Sequence, residues 1–272
     1  MPSTTAPLRL LAILAHPDDE SLGVGGALAK YAAEGVETYL VTATRGERGW
    51  IGEPADYPGL DALGRIREGE LRAAARVLGI REVHVLDYVD GDLDQADPAE
   101  ARTRIAGYLR RIRPQIVLTF DPFGVYGHPD HIAICQLASA AVAAAADSTF
   151  APDDGLAPHA VAKLYYLAST PALKDVYESA FGVFDIPVDG VPRAMVAWPG
   201  WSVSARIDAC PYAMRVWEAV ACHRSQLANY GRLAELSEQG HAALWGNQTF
   251  YRALSLVNGG REVESDLFAG LR

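Results

Sequence analysis

The first 147 residues alternate between short apolar runs and stretches with helical spacing, and this alternation leaves the chain very few folds. Residues 8–15 form an apolar run whose one charge is Arg9, as a strand covered on both faces reads. Residues 25–34 read as a helix ending near Gly35, and residues 36–43 as a second strand. Over 61–78, Leu63, Ile66, Leu71, Ala74, Ala75 and Leu78 recur at helical spacing and stop at Gly79, which accepts the left-handed turn at a helix end. A short strand over 83–86 comes next, then a helix over Pro98–Ile112, with Pro114 just past its end. A strand over 116–120 and a long helix over 130–146 complete this half. Strands separated by helices pair in parallel through crossovers, so the sequence predicts a three-layer α/β domain with a mostly parallel sheet.

The second half is less regular. A loop containing Pro and Asp over 148–158 leads to a strand over 163–168 and then to a polar, proline-broken stretch over 184–199. Residues 202–207 alternate as a strand, 211–223 read as a helix, and 249–257 as a last strand. No internal repeat is visible. The 272 residues read as one domain, with a core carrying the chemistry over 1–147 and a capping and specificity portion over 148–272. The net charge of −10 argues against nucleic acid as a partner. The three cysteines are far apart and form no C-x-x-C pair, which suits reduced thiols and a cytoplasmic location. The apolar run at 8–15 is too short for a membrane span and lacks the flanks of a signal peptide, and the alanine-rich run at 138–146 reads as helix. The expected partner is a small molecule, with no nucleic acid and no membrane; a homo-oligomer is compatible.

Two segments carry the chemistry. Ala15-His16-Pro17-Asp18-Asp19-Glu20-Ser21 follows the first strand, and Tyr126-Gly127-His128-Pro129-Asp130-His131 follows the fourth. The carboxyl ends of parallel strands share one edge, where ligands bind, so the two segments are expected to meet. Taken singly, Asp18 and Asp19 read as helix caps and the histidines as surface loop residues. Together, His16, Asp19 and His131 offer two imidazoles and a carboxylate, the donor set of a catalytic zinc with its fourth position open to water. Asp18 is then placed to take a proton from that water, and His128 to face the developing oxyanion or the leaving nitrogen. The histidines favour zinc or ferrous iron over magnesium or manganese. Asp130 is expected to cap the helix bearing His131, and Gly23, Gly25 and Gly26 to let backbone approach the ligand. The Gly23–Leu28 segment departs from a dinucleotide fingerprint at Leu28. His84, His159 and His241 read as structural, Arg110, Arg111 and Arg113 as a solvated helix face, and Trp198 and Trp201 as a sugar-facing wall or a packed loop.

These two segments resemble the PIG-L/LmbE family of N-acetylglucosaminyl deacetylases, whose A-H-P-D-D-E motif stands here at residues 15–20 and whose H-P-D-H motif stands at 128–131. Further similarity lies in Gly46-Glu47-Arg48-Gly49, in Arg67 and Glu70 before Leu78-Gly79, in Asp90-Gly91 and, more loosely, in His223-Arg224-Ser225-Gln226. The resemblance implies a Rossmann-like fold, one zinc per chain held by His16, Asp19 and His131, and Asp18 as general base. It implies His128 as electrostatic stabiliser and acid. It puts Tyr126 where the mycothiol-pathway members carry a mobile tyrosine that polarises the carbonyl, and it matches Arg67 and Asp90 to positions that contact the sugar. The implied activity is zinc-dependent hydrolysis of an N-acyl amide, above all N-acetyl, on an amino sugar or related small polar molecule. The nearest alternative is an amidase acting on a larger conjugate such as a thiol-conjugate amide. A glycoside hydrolase needs two separated carboxylates, which adjacent aspartates supply badly. A mere metal- or sugar-binding module would have no use for a spare base beside three ligands.

Overall fold

The structure is a computed structural model that describes residues 7–150, 155–181, 185–188, 190–258, 260 and 262–272. Part of the expected loop at 148–158 and Phe184 of the proline-broken stretch lie outside the described residues. Seven strands form one sheet: β1 (Arg9–Leu14), β2 (Glu37–Thr44), β3 (Glu82–Tyr88), β4 (Ile116–Thr119), β5 (Lys163–Leu167), β8 (Ala205–Asp208) and β9 (Asn247–Ser255). Their spatial order is β3-β2-β1-β4-β5-β9-β8. The first five are parallel, and β9 and β8 are added antiparallel. A second sheet is the hairpin of β6 (Asp185–Val188) and β7 (Val191–Ala194).

The crossovers are the helices that the apolar spacing predicts: α2 (Gly25–Ala33), α3 (Leu60–Leu78), α4 (Pro98–Ile112) and α6 (Pro129–Ala146). Helices α4 and α6 pack together as one layer. Helices α2, α3 and α8 (Ala213–Val220) form another. Leu10, Leu11, Ala12 and Ile13 of β1 are wholly buried between these layers, which is why this strand carries no alternation of polar and apolar residues. The chain leaves β1 toward β2 on one side and returns as β4 on the other. The sheet therefore splits its connections between β1 and β4, where α/β sheets bind ligands beyond their strand ends.

Several elements depart from the sequence reading. Strand β3 runs past Leu86 to Tyr88, through a register shift opposite Thr42–Thr44, with Asp87 at φ 61. That irregularity breaks the apolar run early. The stretch at 184–199 contains β6 and β7, where Pro187 and Pro192 face each other; a two-stranded ribbon has free edges on both sides and tolerates them. Helices α7 (Pro171–Phe181) and α10 (Glu238–Trp245) occupy residues with no element assigned from sequence, along with the one-turn helices α1 (Asp19–Leu22), α5 (Gly124–Gly127) and α9 (Leu227–Tyr230). Arg110 is 4% exposed and no part of a solvated face: it donates to the carbonyls of Ala144, Ala145 and Asp147, and so closes the C-terminal end of α6. Glycines 25 and 26 make room for protein rather than ligand. A Cβ on Gly26 would lie 2.8 Å from Ala209 Cβ and from the Trp245 carbonyl, and one on Gly25 3.2 Å from Val216.

Candidate active site

The loop after β1 and the start of α6 after β4 bring His16, Asp19 and His131 together. His16 Nδ1 lies 3.2 Å from His131 Nε2 and 3.6 Å from Asp19 Oδ2, and His131 Nε2 lies 3.5 Å from Asp19 Oδ1. Metal bonds of about 2.0–2.1 Å at a tetrahedral angle set ligand atoms roughly 3.3 Å apart, so this triangle has the dimensions of one face of such a site. All three residues are buried. Asp19 Oδ2 also accepts from the backbone N–H of His16 at 2.7 Å and of Ala15 at 3.2 Å, which fixes the carboxylate. Burial opposes its ionised form, but the charge and hydrogen bond of His131, aided by His16, outweigh that and hold the carboxyl well below the usual range.

The far side of His16 is held as a metal ligand's usually is. His16 Nε2 lies 3.1 Å from Asp130 Oδ2 and 3.2 Å from Asp90 Oδ1, which leaves Nδ1 to face Asp19 and His131. Asp130 is wholly buried and also accepts from the backbone N–H groups of Gly91 and Leu93. It does not cap α6. That cap is His128, whose Nδ1 accepts from the Asp130 N–H at 3.2 Å. Asp90 is placed on His16 and on the Arg48 N–H. In the chain alone, burial lowers the His16 pKa, but Asp130, Asp90 and Asp19 raise it well above the ordinary value. Such a concentration of carboxylates around two imidazoles calls for a cation, and a divalent metal in the His16–Asp19–His131 triangle supplies it.

Asp18 lies beside this triangle with φ 105, a left-handed backbone that a non-glycine residue adopts at a cost of about 1–3 kcal/mol. Its side chain caps nothing. Oδ2 accepts from Arg67 Nη2 at 3.1 Å and from the Tyr230 hydroxyl at 2.9 Å. Burial raises its pKa, with Arg67 opposing. Arg67 Nη1 and Nη2 also donate to the carbonyls of Gly46 and Pro17. Gly46, at φ 63, is pressed so close that a Cβ there would overlap the guanidinium. Arg67 is therefore placed on Asp18 and the loops beside it.

The backbone N–H of Asp18 donates to Glu20 Oε2 at 3.0 Å, and the wholly buried His223 Nε2 lies 2.8 Å from Glu20 Oε1. The His223–Gln226 element thus docks on the first half, where Ser225 also donates twice to Glu70 and Gln226 donates to the Gly49 carbonyl. Sequence reading missed Tyr230 and the Glu20–His223 pair. The nearest signal was the run from His223 to Gln226.

His128 and Tyr126 form the other wall. The His128 ring stacks at 4.8 Å on His131 and meets His16 edge-on at 4.7 Å. Burial and the charges of His16 and His131 push its pKa down to about 4, so His128 is neutral at pH 7 and, with Nδ1 occupied by the Asp130 N–H, carries its proton on Nε2. Tyr126 packs 5.5 Å from the His131 ring, and burial and the nearby carboxylates, Asp19 first, keep its hydroxyl protonated. The loop is strained at Val125, φ 66, which is pinned by Asp121 Oδ1 and by the Val196 N–H. Trp198 is a packed residue: its indole N–H donates to Asp121 at 2.6 Å and its ring lies 5.1 Å from that of Tyr251. Trp201 is 87% exposed.

Comparison with known proteins agrees with this geometry. Residues 11–142 match the family model described as PIG-L, GlcNAc-PI de-N-acetylase. The chain is 36% identical to the 1D-myo-inositol 2-acetamido-2-deoxy-alpha-D-glucopyranoside deacetylase of Streptomyces griseus subsp. griseus, over 97% of this chain and 89% of that protein. It is 36% identical to the protein of the same name from Geodermatophilus obscurus, over 98% and 99%. In fold it resembles the N,N'-diacetylchitobiose deacetylase from Pyrococcus horikoshii, with a TM-score of 0.67 and 23% identity over 91% of this chain and 84% of that one. With near full-length identity of this order and both motif segments converging on one metal-binding group, the chain belongs to the PIG-L family and is a metal-dependent N-deacetylase that hydrolyses a linear C–N amide.

Proposed function

We propose that the protein is a zinc enzyme that removes the acetyl group from a small glycoside of N-acetylglucosamine. The observation that carries this reading is a buried carboxylate, Asp18, fixed through one oxygen beside a three-ligand triangle of zinc dimensions. His16, Asp19 and His131 would hold the ion. When bound, zinc supplies a Lewis acid for the amide carbonyl and a water activated at neutral pH. Asp18 Oδ2 is engaged by Arg67 and Tyr230, so Oδ1 takes the proton from the attacking water. Burial raises the pKa of Asp18 and makes it a stronger base. The Tyr126 hydroxyl, kept protonated, donates to the substrate carbonyl oxygen. Neutral His128 donates from Nε2 to the oxygen as its charge develops. The proton held by Asp18 then passes to the nitrogen, the C–N bond breaks, and acetate and a free amine leave. Asp90 and Asp130 act by orienting His16, and Arg67 by orienting Asp18. The inositol glycoside on which the Streptomyces relative is named to act is the first substrate to try.

The test is amine release from a panel of N-acetylated amino sugars by protein of measured metal content, before and after chelation. Activity that disappears with the metal and returns with zinc is the expected result. Turnover indifferent to the chelator would overturn the reading, and zinc-loaded protein inert on every sugar would move the substrate to a larger amide conjugate.

A further inference from the structure

A cavity of about 490 Å³ lies next to the active-site loops, outside the metal group. Gly127 and Pro129, which bracket His128, form one wall. Leu93, whose backbone N–H is bound by Asp130, is on the floor with Ile132, and Arg193 reaches in from β7. Arg193 makes no ion pair or hydrogen bond among the described residues, and its Nε is buried without a partner. Its guanidinium passes over Gly127, where a Cβ would come within 3.0 Å of Nη1 and 3.1 Å of Cδ; the φ of +83 there also suits glycine. Just beyond β7, the Val196 N–H donates to the Val125 carbonyl at 2.7 Å, which ties the end of the hairpin to the loop bearing Tyr126 and His128. Pro98 and Pro129, at the starts of α4 and α6, also line it, while the Asp97 and His128 side chains cap these two helices. Asp94 lines the same space but is exposed and does not pair with Arg193.

Among the described residues no carboxylate pairs with this arginine, in a chain with 34 acidic residues against 24 basic ones. We propose that the cavity is a subsite for an oxyanion, a carboxylate or a phosphate, carried by the substrate apart from its amide. Arg193 is its specificity-determining residue. A guanidinium offers two parallel donors to such a group. The carboxylates around the metal repel an anionic substrate, and Arg193 offsets that repulsion at a rim position where Gly127 leaves room for it. Leu93 and Ile132 provide an apolar floor for the linking atoms. The inference rests on the deacetylase reading, because it places the amide at the metal.

The experiment compares methyl 2-acetamido-2-deoxyglucopyranoside with 2-acetamido-2-deoxyglucose 1-phosphate, in the zinc-loaded wild type and in Arg193→Ala and Arg193→Lys. Binding of glucose 1-phosphate, which has no amide, is measured alongside by calorimetry. Charged hydrogen bonds of this kind predict a KM for the phosphate roughly 10–100-fold higher in Arg193→Ala, with kcat and the neutral glycoside unchanged and the lysine variant in between. Binding of glucose 1-phosphate falls by the same factor. Equal KM for the two substrates in the wild type, or an arginine variant that changes neither, overturns the subsite. Phosphate binding that survives Arg193→Ala puts the anion on the metal and overturns it too. A protein that turns over neither sugar, but binds glucose 1-phosphate through Arg193, keeps the subsite and removes the deacetylase reading instead.

Discussion

Asp18 and Asp19 are neighbours of the same chemical type, and their surroundings give them opposite tasks. Asp19 is ionised far into acid by the histidines around it, which suits a ligand, whereas burial raises Asp18, which suits a base. Asp18→Asn therefore keeps one metal per chain and loses about 10²–10⁴-fold in kcat, the range for a lost proton-transfer group. His131→Ala loses the metal itself, checked by metal analysis after dialysis. Tyr230→Phe removes one of two donors to Asp18 Oδ2. It lowers kcat about tenfold or more while KM and metal content stay put, because a hydrogen bond to a charged group contributes about 1.5–3 kcal/mol. Unchanged kcat in that variant would leave Tyr230 a packing residue. The two motif segments were legible in the sequence because their chemistry is contiguous and follows apolar runs. Tyr230 was not, because one tyrosine among twelve shows nothing locally of the carboxylate it will meet 212 positions away.

At the level of elements, the parallel half of the sheet was readable because its central strands β1 and β4 are buried apolar runs and the helices between the strands recur at clear apolar spacing. The helices of the second half were not. Helix α10 is eight residues long, contains Gly240, and depends on the Ser237 side chain accepting from the Gly240 N–H. Helix α7 begins at a proline and lies outside the sheet. The Gly25–Gly26 pair was legible as a place for close approach but not as a place for close approach of protein. Gly26→Ala drives a methyl against Ala209 and the Trp245 carbonyl, so it destabilises by about 1–3 kcal/mol in denaturant unfolding with activity per folded molecule kept. Burial also lowers the pKa of His241, stacked between Trp217 and Trp245. The folded state then resists a proton that the unfolded chain takes up below its ordinary value of 6.5, so this residue's contribution to stability is full above that pH and is lost as pH falls below it. His241→Phe flattens the fall of Tm between pH 7 and 5 relative to the wild type, and an identical slope in the two proteins would refute this.

Over the whole molecule, Asp18, the base of the proposed reaction, is held from both halves. The first half supplies Asp18 in a left-handed backbone that it would not hold unaided, with its N–H donated to Glu20. The second half supplies His223, which meets the same Glu20 where no water reaches either group. Burial opposes a charged His223, but the charge and hydrogen bond of Glu20 outweigh it and raise its pKa. Removing one partner of a buried hydrogen bond costs about 1–3 kcal/mol, and more when the group left behind is charged, because that group is left unsatisfied. His223→Leu is therefore expected to unfold by about that much more easily and, in the fraction that folds, to lose kcat as Glu20 releases the Asp18 N–H. His223→Gln keeps a donor toward Glu20 and recovers most of the activity at a smaller loss of stability. The two variants separate support of the fold from support of the base. If both lose stability and neither loses kcat, Glu20 holds the fold alone; if kcat follows the presence of a donor at position 223, closure of the second half completes the catalytic base.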